Sequence, residues 1–228
     1  MKIVGIIPAR YGSSRFPGKP LLDLKGKSMI QRVYENAKKS TLLNQVIVAT
    51  DDQRIFDHVQ SFGGEVMMTA IDHPSGTDRC GEIAKKIYAD IVVNIQGDEP
   101  LLDAAQIDAM LPAFEDPSVQ IVTIGSPTIT LEDINNPNRI KVVLDHNSNA
   151  MYFSRSPIPN TFHANEEGLN NYPFLKHIGL YAFRKPTLTH LTTLPRTLLE
   201  QTESLEQLRW MFYGYQIRVV KTDIETPN

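Results

Sequence analysis

Between Pro8 and Pro20 the chain carries the cations Arg10, Arg15 and Lys19, the hydroxyls of Ser13 and Ser14, and the glycines Gly12 and Gly18. A triphosphate needs that mixture: backbone N–H groups that approach closely, and cations that neutralise it. Glycine permits the approach, and an arginine fork matches phosphate oxygens. A solvated basic loop has the same composition, so this segment does not decide alone. Gly26-Lys27-Ser28 ends like a P-loop, but the first glycine of that pattern falls at Leu21, which argues against a P-loop NTPase.

Three further segments add chemistry. Gln96-Gly97-Asp98-Glu99-Pro100 closes an apolar run with carboxylates, and Asp98 could hold Mg²⁺, which takes one or two carboxylates plus substrate phosphates. The same residues would also make an ordinary turn. Ser75-Gly76-Thr77-Asp78-Arg79 precedes a helical pattern, so Thr77 is a candidate cap and the helix start could face an anion. His73 has no partner set with zinc spacing and reads as a surface residue. Arg155, His177, Tyr181, Glu206 and Gln207 supply an arginine for a carboxylate and polar groups for hydroxyls, an inventory that suits an acidic sugar. Hairpin packing and an amphipathic helix account for the same residues equally well. No Ser/His/Asp arrangement or G-x-S-x-G elbow is present, so covalent catalysis is not indicated.

The elements that must position these groups alternate in period. Ile3–Ile7, Val46–Ala49, Glu65–Thr69, Ile91–Ile95 and Ile121–Ile124 read as strands. Between them, Met29–Ala37, Ile55–Phe62, Asp78–Tyr88 and Ile107–Phe114 repeat at helical spacing. Uniformly apolar strands separated by helices imply an α/β fold: a Rossmann-like, mostly parallel sheet flanked by helices, with ligands at the carboxyl ends of the strands. After Ile129 the pattern becomes a small α+β sub-lobe. It has a hairpin, Ile140–Leu144 with Ala150–Ser154, a long loop Ser156–Pro173, a strand His177–Arg184, a helix around Leu205–Phe212 and a strand Gln216–Lys221. The expected organisation is one domain of two halves, residues 1–128 and 129–228.

Composition narrows the class. In 228 residues, 23 Lys+Arg stand against 26 Asp+Glu, a formal charge of −3, which gives no broad cationic surface for nucleic acid. One cysteine, Cys80, excludes an intrachain disulfide and fits a reducing, cytoplasmic setting. No run approaches ~18 apolar residues, so no membrane span is expected, and the short run Ile3–Ile7 is no signal peptide.

Taken in order, these motifs resemble the sugar-acid cytidylyltransferases, in the branch acting on 3-deoxy-manno-octulosonate (Kdo). The resemblance rests on Ile6–Arg10, Phe16–Leu21, Val48–Asp51, Asp72–Arg79, Val93–Pro100, Asn136–Asn138, Lys141–Asp145, Tyr152–Arg155 and Leu205–Arg209. It implies a nucleotide-diphospho-sugar transferase fold, a homodimer, and Mg²⁺-dependent joining of CTP to Kdo, giving CMP-Kdo and pyrophosphate for lipopolysaccharide. It assigns nucleotide binding to residues 1–128, and sugar-acid binding and dimerisation to residues 129–228. By residue, it implies nucleotide binding by Ala9, Arg10, Ser13, Lys19, Ser75, Gly76 and Arg79. Arg10, Lys19 and Asp98 would be catalytic. Gln96, Arg155, His177, Tyr181, Glu206 and Gln207 would line the sugar pocket. Asp98 would bind metal together with a second carboxylate near the C-terminus. There the family pattern has Asp-Thr-Pro followed by a terminal helix, whereas this sequence reads Asp223-Ile224-Glu225-Thr226-Pro227-Asn228 and then stops. Glu225, or else Asp223, is the expected second ligand. Two other readings stay open: another acidic sugar (neuraminate-like or 8-amino-Kdo), and a nucleotide-binding homologue without turnover.

Overall fold

The computed structural model describes residues 1–12, 16–161, 163 and 172–224. Ser13, Ser14, Arg15 and Glu225 lie outside the described residues, as do residues 162 and 164–171 of the expected 156–173 loop. The chain divides into two compact units.

Among the described residues, unit 1 comprises Met1–Leu111 and Leu180–Thr193. Its described elements are β1 (Ile3–Ala9), α1 (Met29–Ala37), β2 (Gln45–Thr50), α2 (Gln53–Ser61), β3 (Val66–Met68), α3 (Gly76–Lys86), β4 (Ile91–Asn94) and α4 (Ala104–Met110). The strand order is β3-β2-β1-β4, all parallel. Both faces are covered, as the apolar strands predict: β2 and β4 are almost entirely buried, and so is the Met29, Ile30, Val33, Tyr34 and Ala37 stripe of α1.

Unit 2 comprises Pro112–Gly179 and Leu194–Glu225. It contains β5 (Ile121–Ser126), α5 (Leu131–Asn135), β6 (Lys141–Leu144), β7 (Ala150–Ser154) and the first residues of β8 (Lys176–Arg184). The last residues of β8 run antiparallel to β4 within unit 1, where α6 (Lys185–Leu191) follows. Unit 2 continues with α7 (Leu198–Glu203), α8 (Gln207–Phe212) and β9 (Arg218–Lys221). β5 pairs parallel with β9, and β6 pairs antiparallel with β7 and, at Lys141↔Lys176, with β8. Phe153 and Trp210 are fully buried at its centre.

Several expected boundaries move for local reasons. Ser75, not Thr77, caps α3, because its hydroxyl accepts from the Asp78 amide at 3.1 Å. The helix expected through Phe114 is α only to Met110; Pro112 lacks an N–H, and the chain tightens into a 3₁₀ turn over Leu111–Glu115. Three helices went unforeseen, α5, α6 and α7, and two of them open with a capping box: Thr130 with Asp133 before α5, and Thr197 with Glu200 before α7. Among the described residues no helix is long and apolar enough to cross a membrane.

Candidate functional sites

In unit 1 the loop after β4 and the start of α3 both close on Pro8, near the carboxyl end of β1. A Cβ on Gly97 would stand 2.6 Å from the Pro8 carbonyl oxygen, and one on Gly76 would stand 3.0 Å from the Pro8 ring. Any side chain at 97 would therefore push the Asp98 loop off β1. The cationic loop is closed by the Gly18 amide donating to the Tyr11 carbonyl at 2.9 Å. Gly18 has φ 75°, a left-handed conformation, with the Tyr11 ring 3.2 Å from where a Cβ would be. The Tyr11 ring in turn carries the Arg54 guanidinium 3.3 Å from its centroid. Arg54 is fixed by Asp52, the cap of α2, at 2.6 Å.

This framework puts Lys19 beside Asp98: Nζ donates to Oδ2 at 2.8 Å, with the side chains 40% and 54% exposed. Arg10 and Gln96 are exposed on the same unit, and Ala9 is buried at the end of β1. A pair this exposed contributes little to stability. It does leave an ammonium and a hard oxygen donor open to a polyanion and its cation. Asp98 thus fits Mg²⁺ in the usual manner of one carboxylate completed by phosphates and water. Among the described residues no group of three His, Cys, Asp or Glu forms a metal cage.

Arg79 departs from expectation. Only 3% exposed, it donates to Asp51 at 2.7 Å, to the Thr69 hydroxyl and to the Ala70 carbonyl, tying α3 to the ends of β2 and β3 instead of facing a phosphate. The reason is that Thr77, Asp78 and Arg79, in the first turn of α3, are all buried. His73 is no free surface residue either: its Nε2 meets Glu82 at 2.5 Å. Burial pushes the Glu82 carboxyl up, but hydrogen bonds from Lys86, His73 and the Ala70 amide prevail and hold it at about 2. The loop before α3 is thereby pinned to that helix.

Tyr181, expected in the sugar pocket, is buried in unit 1, stacked on Phe183 and paired across the ladder with Asn94. The remaining candidates belong to unit 2. Gln207 is 5% exposed, and no hydrogen bond joins its amide to any described residue, so it is available to a hydroxyl. Glu206 is oriented by Arg209, which donates to it at 2.7 Å and to the Leu194 carbonyl at 3.3 Å, and which forms an ion pair with Glu200 at 3.1 Å without a hydrogen bond. His177 keeps part of its surface exposed, yet its imidazole is packed edge-on against Phe153 and lies 3.0 Å from the Thr123 hydroxyl. Burial lowers its pKa to about 3, so it is a neutral hydrogen-bonding ring and not a cation for a carboxylate.

Arg155 is held on every side. Nε donates to the Glu203 carbonyl at 2.7 Å, Nη1 to Pro137 at 2.9 Å and Nη2 to Ser204 at 3.2 Å, while its own amide reaches the Glu203 carboxylate at 2.9 Å. One N–H on each terminal nitrogen remains, and both of those nitrogens lie at the surface. Motif reading missed the supporting residues Glu203 and Glu200, and gave no supporting role to Lys141 and Arg209, which lie in the segments that carry the resemblance. A lone lysine between Ile140 and Val142 in an apolar strand was the available signal for Lys141.

The chain belongs to the cytidylyltransferase family, which it matches over residues 4–219. Within that family it is 52% identical to the 3-deoxy-manno-octulosonate cytidylyltransferase of Bacteroides thetaiotaomicron, over 99% of this chain and 92% of the relative. It is 48% identical to the protein of the same name from Porphyromonas gingivalis, over 100% and 93%. A solved structure of CMP:2-keto-3-deoxy-manno-octonic acid synthetase complexed with CTP superposes with a TM-score of 0.93 at 44% identity, covering all of this chain and 92% of that one. A 4-diphosphocytidyl-2C-methyl-D-erythritol synthase from Anaerococcus prevotii, 12% identical with a TM-score of 0.63, shares the fold.

Proposed function

We propose that this chain transfers the cytidylyl group of CTP to the anomeric hydroxyl of 3-deoxy-manno-octulosonate, releasing pyrophosphate, as a step toward lipopolysaccharide. The observation that carries this reading is the near full-length likeness to a synthetase of that name holding CTP, together with the glycine-dependent closure of two loops on Pro8. The sugar oxygen attacks the α-phosphorus in line, and the bond from that phosphorus to the bridging oxygen of pyrophosphate breaks. The proton of the hydroxyl leaves to solvent. No enzyme nucleophile takes part; the chain positions the reactants and neutralises charge.

Arg10 and Lys19 hold the β- and γ-phosphates, Ser75 and Gly76 border the nucleotide, and Lys19 exchanges Asp98 for phosphate when the substrate arrives. Asp98 would hold Mg²⁺, which would supply charge neutralisation to the transferring phosphate. Asp223 or Glu225 is the second carboxylate of the proposal. The two remaining N–H groups of Arg155 take the sugar carboxylate, and Gln207, Glu206 and neutral His177 take hydroxyls. The exposed Leu198, Phe212 and Met151 of unit 2 support a homodimer, which a size measurement in solution checks. The supply of CTP and free sugar acid favours the cytoplasm.

The test is pyrophosphate release from CTP with Kdo, with neuraminate, with 8-amino-Kdo and with no sugar, each with and without Mg²⁺. Release with Kdo and Mg²⁺ alone is expected. Faster release with another acid reassigns the sugar, and nucleotide binding without release makes the chain a non-catalytic homologue.

A further inference from the structure

Lys141 is 0% exposed, although its side chain, on a β-strand, ends in an amine. Its ammonium has three N–H groups, and three carbonyls take them: Asn136 at 3.0 Å, Arg139 at 2.7 Å and Arg155 at 2.6 Å. No donor is left for a substrate, so Lys141 does not itself touch one. What it does is join two pieces of backbone. Asn136 and Arg139 bracket Pro137, whose carbonyl accepts from the Arg155 guanidinium. The third carbonyl belongs to Arg155 itself. The ammonium and the guanidinium therefore close a ring: the lysine fixes the turn to the main chain of Arg155, and the arginine side chain returns to the same turn. Glu203 completes it by accepting from the Arg155 amide and, at 2.7 Å, from the Ser154 hydroxyl.

We propose that Lys141 is a positioning residue whose buried ammonium sets the orientation of Arg155, and through it the affinity for the sugar acid. This rests on the reading of Arg155 as the group that takes the sugar carboxylate. A buried charge is retained only where its surroundings satisfy it, and here the three carbonyls do so. Burial nonetheless pulls the ammonium below its ordinary pKa, with Glu203 raising it and Arg155 lowering it. A methionine of similar volume would leave all three carbonyls without their donor and free the turn at 136–139. A guanidinium displaced by about 1 Å loses a paired contact, an effect on the order of ten- to hundredfold.

The experiment is a double-mutant cycle of Lys141→Met and Arg155→Ala, read as separate KM values for CTP and Kdo, with thermal melting as the check on folding. Lys141→Met is expected to raise the KM for Kdo about ten- to hundredfold, to leave that for CTP within about twofold, and to add nothing in the Arg155→Ala background. An unchanged KM for Kdo, equal rises in both KM values, or additive effects in the double variant would each overturn the proposal. Should Lys141→Met not melt cooperatively, Lys141→Gln, which keeps two donors, takes its place with a smaller change in the same KM. If Arg155→Ala leaves the KM for Kdo unchanged in an enzyme that turns over, the proposal falls and the proposed activity stands. If the wild type binds Kdo without turnover, the activity falls instead, and the cycle is read on calorimetric dissociation constants for Kdo.

Discussion

In unit 1 three of the charges expected to meet a triphosphate stand in the open, Arg10, Lys19 and Asp98, over a framework of backbone closing on Pro8, while the fourth, Arg79, is turned inward. In unit 2 the charges lie inside. Lys141, Arg209 and Glu200 are buried, and the guanidinium of Arg155 is stretched over three carbonyls. The difference follows from the ligands each is proposed to take. A polyanion is drawn by charge at a distance and tolerates adjustment, so exposed cations suffice. A sugar acid is told from its analogues by hydrogen bonds of fixed geometry, and fixed geometry requires donors locked by a second layer of partners.

Variants can break that contrast. The largest effect is expected for Asp98→Ala: Mg²⁺-supported turnover falls at least about 10²-fold while the melting temperature holds, because the group is exposed. A near-normal rate would remove Asp98 from metal binding. Glu200→Ala should do the reverse, costing about 3 kcal/mol in chemical denaturation, since buried Arg209 loses one of its two carboxylates. If stability is unchanged, unit 2 does not depend on its buried charges. Gly97→Ala crosses the divide: a Cβ at 2.6 Å from the Pro8 oxygen should cost about 1–3 kcal/mol and raise the KM for CTP. An intact KM would show that the Asp98 loop adapts.

His177 gives a smaller, pH-dependent signature. Its folded pKa of about 3 lies below the ordinary 6.5, so the unfolded chain binds the extra proton between those values. Its contribution is complete above pH 6.5 and is lost as pH falls toward 3. The melting temperature of the wild type should therefore drop more steeply from pH 7 to 4.5 than that of His177→Gln; parallel curves would place the imidazole in solvent. The smallest effect is expected for Arg54→Ala, a rise of less than about fivefold in the KM for CTP as Tyr11 loses its cation. A larger rise would mean that the cationic loop is as tightly locked as the Arg155 ring.

Periodicity made unit 1 legible because parallel strands buried on both faces are apolar throughout and their helices carry one clean stripe. The same rule hid α7 in unit 2: Leu198 and Leu199 are exposed and Glu200 buried, so its pattern is inverted and only the capping box of Thr197 marked it. Arg79 shows the limit for the site. Its place in a polar loop motif suggested phosphate, whereas the burial that turned it onto Asp51 depends on how α3 packs.

By itself, then, the sequence determined the alternation of strands and helices, the cationic loop behind β1, the carboxylate behind β4 and the family likeness, because each is written in neighbouring residues. Only the tertiary structure decided which charges face solvent and which face carbonyls. Lys19 and Lys141 are the same residue type; one ends on an exposed carboxylate and the other on three backbone oxygens. The Asp98 partner of Lys19 lies 79 residues along the chain, and the carbonyls around Lys141, though only 2, 5 and 14 residues away, converge on it only once the 136–139 turn and the β6–β7 hairpin have folded, so no residue pattern encodes the choice.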